Sequence, residues 1–578
     1  MQNYLSNIRA RMSNPLRIRV GGNGMDSSTY VPTQTDQMIH LTDPDAYFND
    51  IPADFGPVLF EVMNTMADNV GSMEFIIGLS MQDPDNYDNA VELALDAKKM
   101  LGDRLDAMLL GNEPDLYQGH GKRESYEIKD YIPEVGGIFE RFRDAGVVNG
   151  NDSLIGGPTT CCRWDLDEII SAGLNQYPYK YYTLQHYPNH NCGGPTPANT
   201  NMSFYITHSN VPKYIWWNDG NSRGIQMAKA SGVPLLLTEY NSVSCGGSNI
   251  SDTFGMALWG TDIALQAAAT NYSGAYLHTR EYGITYNLFD PPPTNDSLAS
   301  GWYTGPIYYT MLVVAETLSS TGSIVVDLNI TQDNAAAYGI YDNAGKTRGK
   351  VLFINYASPE FVDEGQSTNR VLRIPANITS GVGVRILDAP SVYSKSSSNP
   401  IAVALTDTVT WANQTVGDFG DLIGTRYTES FDCEKGCSVN VPGPGIALVY
   451  FLSDGPDNFY EGNSTIVGPV LVSAGLPVPR LSEPLRQHIL SLLPIIRAPS
   501  IRIQTRLMRE VPLDLPAKSL PRTLIYALLR ILNLIPNRPT TQRLINQAPI
   551  QVCIRVITIV RVIGLLVSHA DATPLGSG

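Results

Sequence analysis

Short apolar runs alternate with segments of helical spacing through the first 300 residues, and this alternation restricts the possible folds more than any other feature. Strands that alternate with helices predict a parallel sheet covered by helices. We therefore expect an α/β fold, a (β/α)8 TIM barrel, over residues 1–304. The seven strand-like runs are RIRVGG (17–22), FIIGLSM (75–81), AMLL (107–110), SLIGGPTT (153–160), YYTLQHY (181–187), PLLLTEY (234–240) and AYLHT (275–279). Because eight strands close such a barrel and the chain opens on a helix, we expect its first strand to be missing.

A second domain begins near residue 323, where the hydrophobic period changes to two. Short runs such as VVDLNI, KVLFINYA and GIALVYFL are separated by turn residues up to about residue 454. Regularly spaced short strands of this kind predict an all-β sandwich. We assign residues 305–466 to this C-terminal β-sandwich domain.

The tail, residues 467–578, has a different composition. It holds thirteen Lys or Arg and four Asp or Glu, and it is rich in Leu, Ile and Pro. Its most apolar run is interrupted by Arg555 and Arg561, which a bilayer span tolerates poorly. We expect an appended basic segment that is disordered or an artefact of the gene model. The alternative is a basic tail that binds a membrane surface or nucleic acid.

Composition favours a secreted, glycosylated protein. The net charge of −16 argues against nucleic acid as a partner. Residues 2–12 are polar and amphipathic and lack the apolar centre of a signal peptide, which again suggests an incomplete N-terminus. Asn-x-Ser/Thr sequons nevertheless favour an extracellular location. They lie at Asn151, Asn201, Asn249, Asn271, Asn295, Asn329, Asn377, Asn413 and Asn463.

The seven cysteines also fit an oxidising compartment. Cys433 and Cys437 are close enough to bridge across a turn, and Cys161 or Cys162 is a candidate partner for Cys192. No Cys-x-x-Cys pairs recur and histidine is scarce, so we expect no zinc site.

Two of the strand-like runs lead into a glutamate. Glu113 follows AMLLGN, and Glu239 follows PLLLT. Because the C-terminal ends of barrel strands converge on one mouth, we expect both carboxylates there. Two carboxylates in one mouth are what glycoside hydrolysis requires. The alternatives are ordinary structural roles: a helix N-cap for Glu113 in NEPD, and a salt bridge at the barrel rim for Glu239.

Four stretches together resemble glycoside hydrolase family 79: RVGGN (19–23), GNEPDLY (111–117), LQHYP (184–188) and TEYNSVSCGG (238–247). The fungal β-glucuronidase-like branch is the most similar, and the resemblance covers about residues 1–460. This family belongs to a clan of retaining (β/α)8 hydrolases. In that clan the acid/base follows an Asn at the end of strand four, and the nucleophile ends strand seven. The resemblance implies that Glu113 is the general acid/base and Glu239 the nucleophile.

Further site residues follow from this resemblance. The Asn112 amide is expected to bond to the sugar hydroxyl beside the anomeric carbon, a bond that strengthens in the transition state. Tyr187 is expected to hydrogen-bond Glu239 and hold its rotamer, with packing at the rim as the alternative. Asn23, after the first strand, is a candidate contact to the sugar.

A glucuronate substrate also needs a partner for its carboxylate. Related members use a backbone amide and tyrosine hydroxyls in the loop after the nucleophile, so Ser244 and the N–H of Gly246 are candidates here. Ser244 departs from bacterial relatives that have a tyrosine nearby. Tyr286, His278 and Arg280 near the last strand are possible helpers, each with a structural role as the alternative.

These observations predict a secreted, retaining, exo-acting β-glucuronidase-like hydrolase whose partner is a glycan or glycoside that contains glucuronic acid. No cofactor is expected, because a carboxylate mechanism needs neither a metal nor a nucleotide. Three alternatives remain open: a β-glycosidase for neutral sugars, a catalytically inactive glycan-binding relative, and a gene-model product with two incorrect ends. The sequence does not define the oligomeric state.

Overall fold

The computed structural model describes residues 1–46, 51–150, 153–292, 301–319, 323–342, 347–396 and 408–452. Residues Met1–Val470 belong to one compact unit. The prediction for the tail, residues 467–578, falls outside the described residues. The domain boundaries placed at residues 304 and 466 stay predictions.

Seven parallel strands form the sheet of the first half, and they pair in chain order. All seven coincide with the predicted runs, so the prediction of a TIM-type α/β barrel is confirmed. Arg17 on the first strand donates to the Ser273 carbonyl on the last at 3.3 Å, so the sheet nearly closes. The strands are β1 (Leu16–Val20), β2 (Met73–Leu79), β3 (Leu105–Leu110), β4 (Ile155–Thr160), β5 (Tyr181–His186), β6 (Leu235–Tyr240) and β7 (Tyr272–Leu277).

Helices follow most of these strands. The helix Tyr87–Leu101 follows Asn86 and is capped by Gly102, as the sequence predicts. The φ of Gly102 is 54°, which suits a residue without a side chain. The main helices are α1 (Gln2–Arg9), α2 (Val58–Val70), α3 (Tyr87–Leu101), α4 (Ile128–Asp144), α5 (Leu166–Ser171), α6 (Asp219–Ser231), α7 (Phe254–Thr270) and α8 (Tyr308–Thr317). Further helices span Asn23–Asp26, Met202–Tyr205 and Asn210–Trp216.

A small sheet that the sequence pattern did not predict lies between β1 and α2. Its strands are Thr29–Tyr30, Ile39–Leu41 and Ala53–Phe55. The first pairs in parallel with the third, and the second pairs with the third in antiparallel. These strands are two or three residues long, too short for an alternating pattern to reveal them.

The C-terminal domain is built of antiparallel strands, which confirms the predicted β architecture. Its main strands are β8 (Ile324–Asp327), β9 (Ala335–Asp342), β10 (Thr347–Asn355), β11 (Arg370–Ile374), β12 (Gly381–Asp388), β13 (Glu429–Asp432), β14 (Cys437–Val441) and β15 (Gly445–Leu452). In the larger sheet β8, β9, β10, β15 and β12 are neighbours in that order, and β13 also pairs with β12, while β11 pairs with β14.

A buried carboxylate, Glu316 at the end of α8, joins the start of the chain to the β domain. It forms ion pairs with Arg11 at 3.4 Å, Arg426 at 3.0 Å and Arg385. Trp411 Nε1 donates to Glu316 Oε2 at 3.1 Å. Burial raises the pKa of Glu316, but the three guanidinium groups lower it by more, to about 2.

A second buried carboxylate, Asp262 on α7, joins the barrel to the same domain. It lies 2.9 Å from His208 Nδ1, accepts from the Tyr356 hydroxyl at 2.7 Å, and also accepts from the Tyr338 hydroxyl. Burial lowers the pKa of His208, but its bond to Asp262 and the nearby aspartates raise it by more.

This pairing predicts a pH-dependent stability. Because the folded pKa of His208 lies above its unfolded value, its contribution is complete below about pH 6.5 and is lost as pH rises through the folded pKa. Urea midpoints measured across this range should fall with pH in the wild type, and His208→Gln should reduce that slope. An equal slope in both proteins would contradict this assignment.

Among the described residues, no helix has the length and apolar character needed to cross a membrane. The sequon asparagines that lie within the described residues are all exposed, as glycosylation requires. They are Asn201, Asn249, Asn271, Asn329, Asn377 and Asn413.

Candidate active site

The barrel topology places both candidate glutamates at the C-terminal ends of parallel strands. Glu239 is the penultimate residue of β6, a strand buried along its whole length. Glu113 lies three residues beyond β3, and its N–H donates to the Thr159 carbonyl of β4 at 3.1 Å. Its φ of 47° and ψ of 53° are left-handed, a costly conformation for a glutamate and one that recurs at functional sites. Glu113 precedes the short 3-10 helix Pro114–Leu116, but its side chain makes no capping bond to it.

Three side chains hold the carboxylate of Glu239, whose side chain is 11% exposed. Arg19 Nη1 on β1 donates to Glu239 Oε2 at 2.8 Å. The Tyr187 hydroxyl, just after β5, donates to Oε1 at 2.9 Å, and His278 Nε2 lies 3.7 Å from the same oxygen. Glu239 therefore does form a salt bridge, as its alternative structural role predicted, but the Arg19–Glu239 pair lies inside the mouth.

The surroundings of Glu239 keep it ionised. Burial raises its pKa, but His278, the Arg19 guanidinium and the Tyr187 hydroxyl outweigh burial and hold the pKa below its usual range. Burial lowers the pKa of His278 itself. Arg19 therefore supplies the permanent positive charge beside the carboxylate. Burial and the Glu239 charge raise the pKa of Tyr187 well above its usual value, which keeps the hydroxyl a donor.

Asn112 and Asn23 lie together next to this ion pair. Arg19 Nη2 donates to Asn112 Oδ1 at 2.9 Å, so one guanidinium bridges Asn112 and Glu239. Asn112 Nδ2 donates to Asn23 Oδ1 at 2.7 Å. The residue before Asn23, Gly22, has a φ of 77°, and a side chain there would begin 3.6 Å from Glu239 Oε2. Glycine therefore keeps this wall of the mouth open.

Gln185, buried on β5, connects the two halves of the site. Its amide fits in two orientations, which are assigned from hydrogen bonds. In one, its nitrogen donates to Asn112 Oδ1 at 2.8 Å. In the other, its nitrogen donates to Glu113 Oε1 at 3.1 Å and its oxygen accepts from Arg19 at 3.1 Å, with that oxygen 2.8 Å from Asn112 Oδ1. This second orientation links Glu113 to Arg19 and so to Glu239.

The loop after Glu239, residues 241–247, is fixed to the loop after β5. The Ser244 N–H donates to the Asn189 carbonyl at 2.9 Å, and the Asn191 N–H donates to the Ser244 carbonyl at 3.1 Å. Cys245 forms a disulfide with Cys192. The prediction that Cys192 pairs with Cys161 or Cys162 was therefore wrong. The loop after β5 meets the loop after β6, and this contact brings Cys192 to Cys245.

Among the described residues, two further disulfides join cysteines close in sequence. Cys161 and Cys162 pair with each other, and the predicted Cys433–Cys437 bridge is present. Cys161, Cys162 and Asp115 are grouped as metal ligands would be, but both sulfurs are in the disulfide. The carboxylate of Asp115 instead accepts from the N–H groups of Cys162 at 2.7 Å and Arg163 at 2.8 Å.

A turn that follows β7, residues 278–287, forms the other side of the mouth. Asn241 Nδ2 donates to the carbonyls of His278 at 2.8 Å and Tyr286 at 3.3 Å. Thr285 Oγ1 donates to the Gly246 carbonyl at 2.9 Å. Tyr286 is buried, with its ring centroid 5.8 Å from that of His278. The predicted carboxylate-binding loop and the predicted helpers therefore share one wall.

The structure brings Glu113, Asn112, Asn23, Tyr187 and Glu239 into one connected network. Ser244, Gly246 and Tyr286 lie on the adjoining wall. Sequence reasoning missed the roles of Arg19 and Gln185. Both carry a visible signal, because a charged or amide side chain interrupts an otherwise strand-like run.

The fold and sequence resemble known carbohydrate-active proteins. The model of the glycosyl hydrolase family 79 C-terminal beta domain matches residues 337–448. A β-glucuronidase of Aspergillus niger is 26% identical over 388 residues, covering 62% of this chain and 69% of the relative. A β-glucuronidase of Neurospora crassa is 24% identical over 394 residues, covering 63% and 69%.

A solved structure supports the fold. The 4-O-α-L-rhamnosyl-β-D-glucuronidase from Fusarium oxysporum 12S, in complex with Rha-GlcA, has a TM-score of 0.63 at 21% identity. The match covers 78% of this chain and 91% of that one. The family 79 β domain and the two fungal relatives indicate a glycoside hydrolase, one whose barrel and C-terminal β domain resemble those of family 79.

Proposed function

We propose that this chain is a retaining, exo-acting β-glucuronidase. The observation that carries the proposal is the ionised Glu239, which Arg19 and Tyr187 orient at a mouth that also holds Glu113. The two fungal relatives are β-glucuronidases, which supports a glucuronide as the substrate. The exposed sequon asparagines and the disulfides support secretion as a glycoprotein.

The proposed reaction has two displacements. In the first, a Glu239 oxygen attacks the anomeric carbon, the bond to the leaving oxygen breaks, and Glu113 gives its proton to that oxygen. In the second, Glu113 takes a proton from water, which attacks the anomeric carbon and releases Glu239. A separation of about 5–5.5 Å between the carboxyl groups is the geometry of such a pair. In this proposal Asn112 and Asn23 bind sugar hydroxyls, and Ser244, Gly246 and Tyr286 surround the substrate carboxylate.

The proposal is tested by hydrolysis of 4-nitrophenyl β-D-glucuronide beside the matching β-D-glucoside. We expect the glucuronide to be preferred, and NMR of the first-formed sugar to give the β-anomer, because two inversions retain configuration. An α-anomer as first product would contradict the double displacement. Turnover of the glucoside alone would favour the neutral-sugar alternative, and turnover of neither would favour a glycan-binding relative.

Tyr187→Phe should shift the acidic limb of the pH–rate profile to higher pH. The change removes a hydrogen bond that lowers the pKa of Glu239, and Glu239 must be ionised to attack. A loss of about tenfold in kcat/KM at neutral pH is expected from one hydrogen bond to a charged group. Tyr427→Phe, at an exposed tyrosine of the β domain, is the matched control. If the acidic limb of the pH–rate profile does not shift in Tyr187→Phe, Tyr187 contributes only packing and does not tune the pKa of Glu239.

A further inference from the structure

A salt bridge between adjacent residues occupies the turn that follows β7. Arg280 Nε lies 3.0 Å from Glu281 Oε2, and Arg280 Nη2 lies 3.0 Å from Glu281 Oε1. The guanidinium thus presents a two-pronged face to a carboxylate, a geometry that arginine provides and lysine does not. The two partners differ in exposure, since the Arg280 side chain is 15% exposed and that of Glu281 49%.

The side chain of Arg280 contacts the wall of the mouth through Tyr286. Its N–H is held by Asn287 Oδ1 at 2.8 Å, and its side chain hydrogen-bonds to the Tyr286 hydroxyl. Tyr286 in turn packs on His278, whose Nε2 lies 3.7 Å from Glu239. Arg280, Tyr286 and Gly246 therefore stand on one wall of the mouth, joined through Thr285 and Asn241.

We propose that Arg280 is the specificity-determining cation that binds the substrate carboxylate, and that Glu281 occupies its fork until substrate displaces it. The inference rests on the proposed glucuronidase function. A half-exposed ion pair between neighbours contributes little to stability, so Glu281 is easily replaced. A uronate carboxylate restores both hydrogen bonds, whereas the single hydroxyl of a neutral hexose leaves part of the fork unpaired.

The test is a comparison of kcat and KM for 4-nitrophenyl β-D-glucuronide and β-D-glucoside in full-length variants. Arg280→Gln should raise KM for the glucuronide by about 10- to 100-fold, with kcat and glucoside hydrolysis little changed. Glu281→Gln should lower KM for the glucuronide by about two- to fivefold, because it removes the competing carboxylate. Arg223→Gln is the matched control, since this exposed arginine pairs with Asp167 on the outer helices.

The possible failures are distinguishable. A folded Arg280→Gln variant with an unchanged ratio of glucuronide to glucoside activity would overturn the role of Arg280 alone. If thermal melting shows that this variant does not fold, the same ratio in Glu281→Gln decides: an increase supports the inference and no change overturns it. A wild type that does not hydrolyse the glucuronide would overturn the proposed function and this inference together.

Discussion

Glu239→Gln should lower kcat for 4-nitrophenyl β-D-glucuronide by about 10⁴-fold or more, the scale of loss on removal of a catalytic nucleophile. The amide keeps the shape of the side chain and can still accept from Tyr187, but it cannot attack the anomeric carbon. Steady-state release of 4-nitrophenol measures the effect, and retained binding of the glucuronide by calorimetry would show that the site remains folded.

Two comparisons make this prediction specific. Glu168→Gln on the exposed face of α5 should have wild-type activity. Glu113→Gln should lose about 10²- to 10⁴-fold with a poor leaving group, because that group needs a proton, and less with 4-nitrophenolate. A Glu239→Gln enzyme with more than a tenth of wild-type kcat would show that another group is the nucleophile.

Glu316→Gln should lower the free energy of unfolding by about 3–5 kcal/mol, because it leaves three arginines around a neutral group in a buried site. Urea denaturation followed by tryptophan fluorescence at pH 7 measures the change. The indole of Trp411, one of six tryptophans, donates to Glu316, so the fluorescence signal includes this site.

The pH dependence of the same group has a definite sign. The folded pKa of Glu316, about 2, lies below its unfolded value of about 4.3, so its contribution is complete above pH 4.3 and is lost as pH falls toward 2. Glu316→Gln should therefore reduce the decrease in the free energy of unfolding between about pH 4.3 and pH 2. Glu61→Gln, at an exposed position on α2, is the control. A decrease in the free energy of unfolding of less than about 1 kcal/mol for Glu316→Gln would show that other groups stabilise the three arginines.

The order of barrel elements was predictable because the strands in the middle of the sheet are buried on both faces and most of them stand out as apolar runs. The two glutamates were predictable for the same reason, since a carboxylate at the end of such a run is conspicuous. The partner of Cys192 was not, because it depends on which loops meet, and loop contacts leave no periodic signal. The role of Gln185 was also missed, because a single buried amide reveals its partners only in three dimensions.

The carboxylates and the candidate residues for the sugar's acid group belong to different parts of the fold. Glu239 is part of a buried strand, and Glu113 is held by the neighbouring strand β4, whereas Gly246 and Arg280 stand on a loop and a turn. Substitutions on the loop and turn leave the strand interior untouched. Under the proposed function, sugar preference therefore has a route of divergence that leaves both glutamates in place, and a laboratory library confined to residues 242–247 and 279–287 would vary the wall for the substrate carboxylate without replacing them.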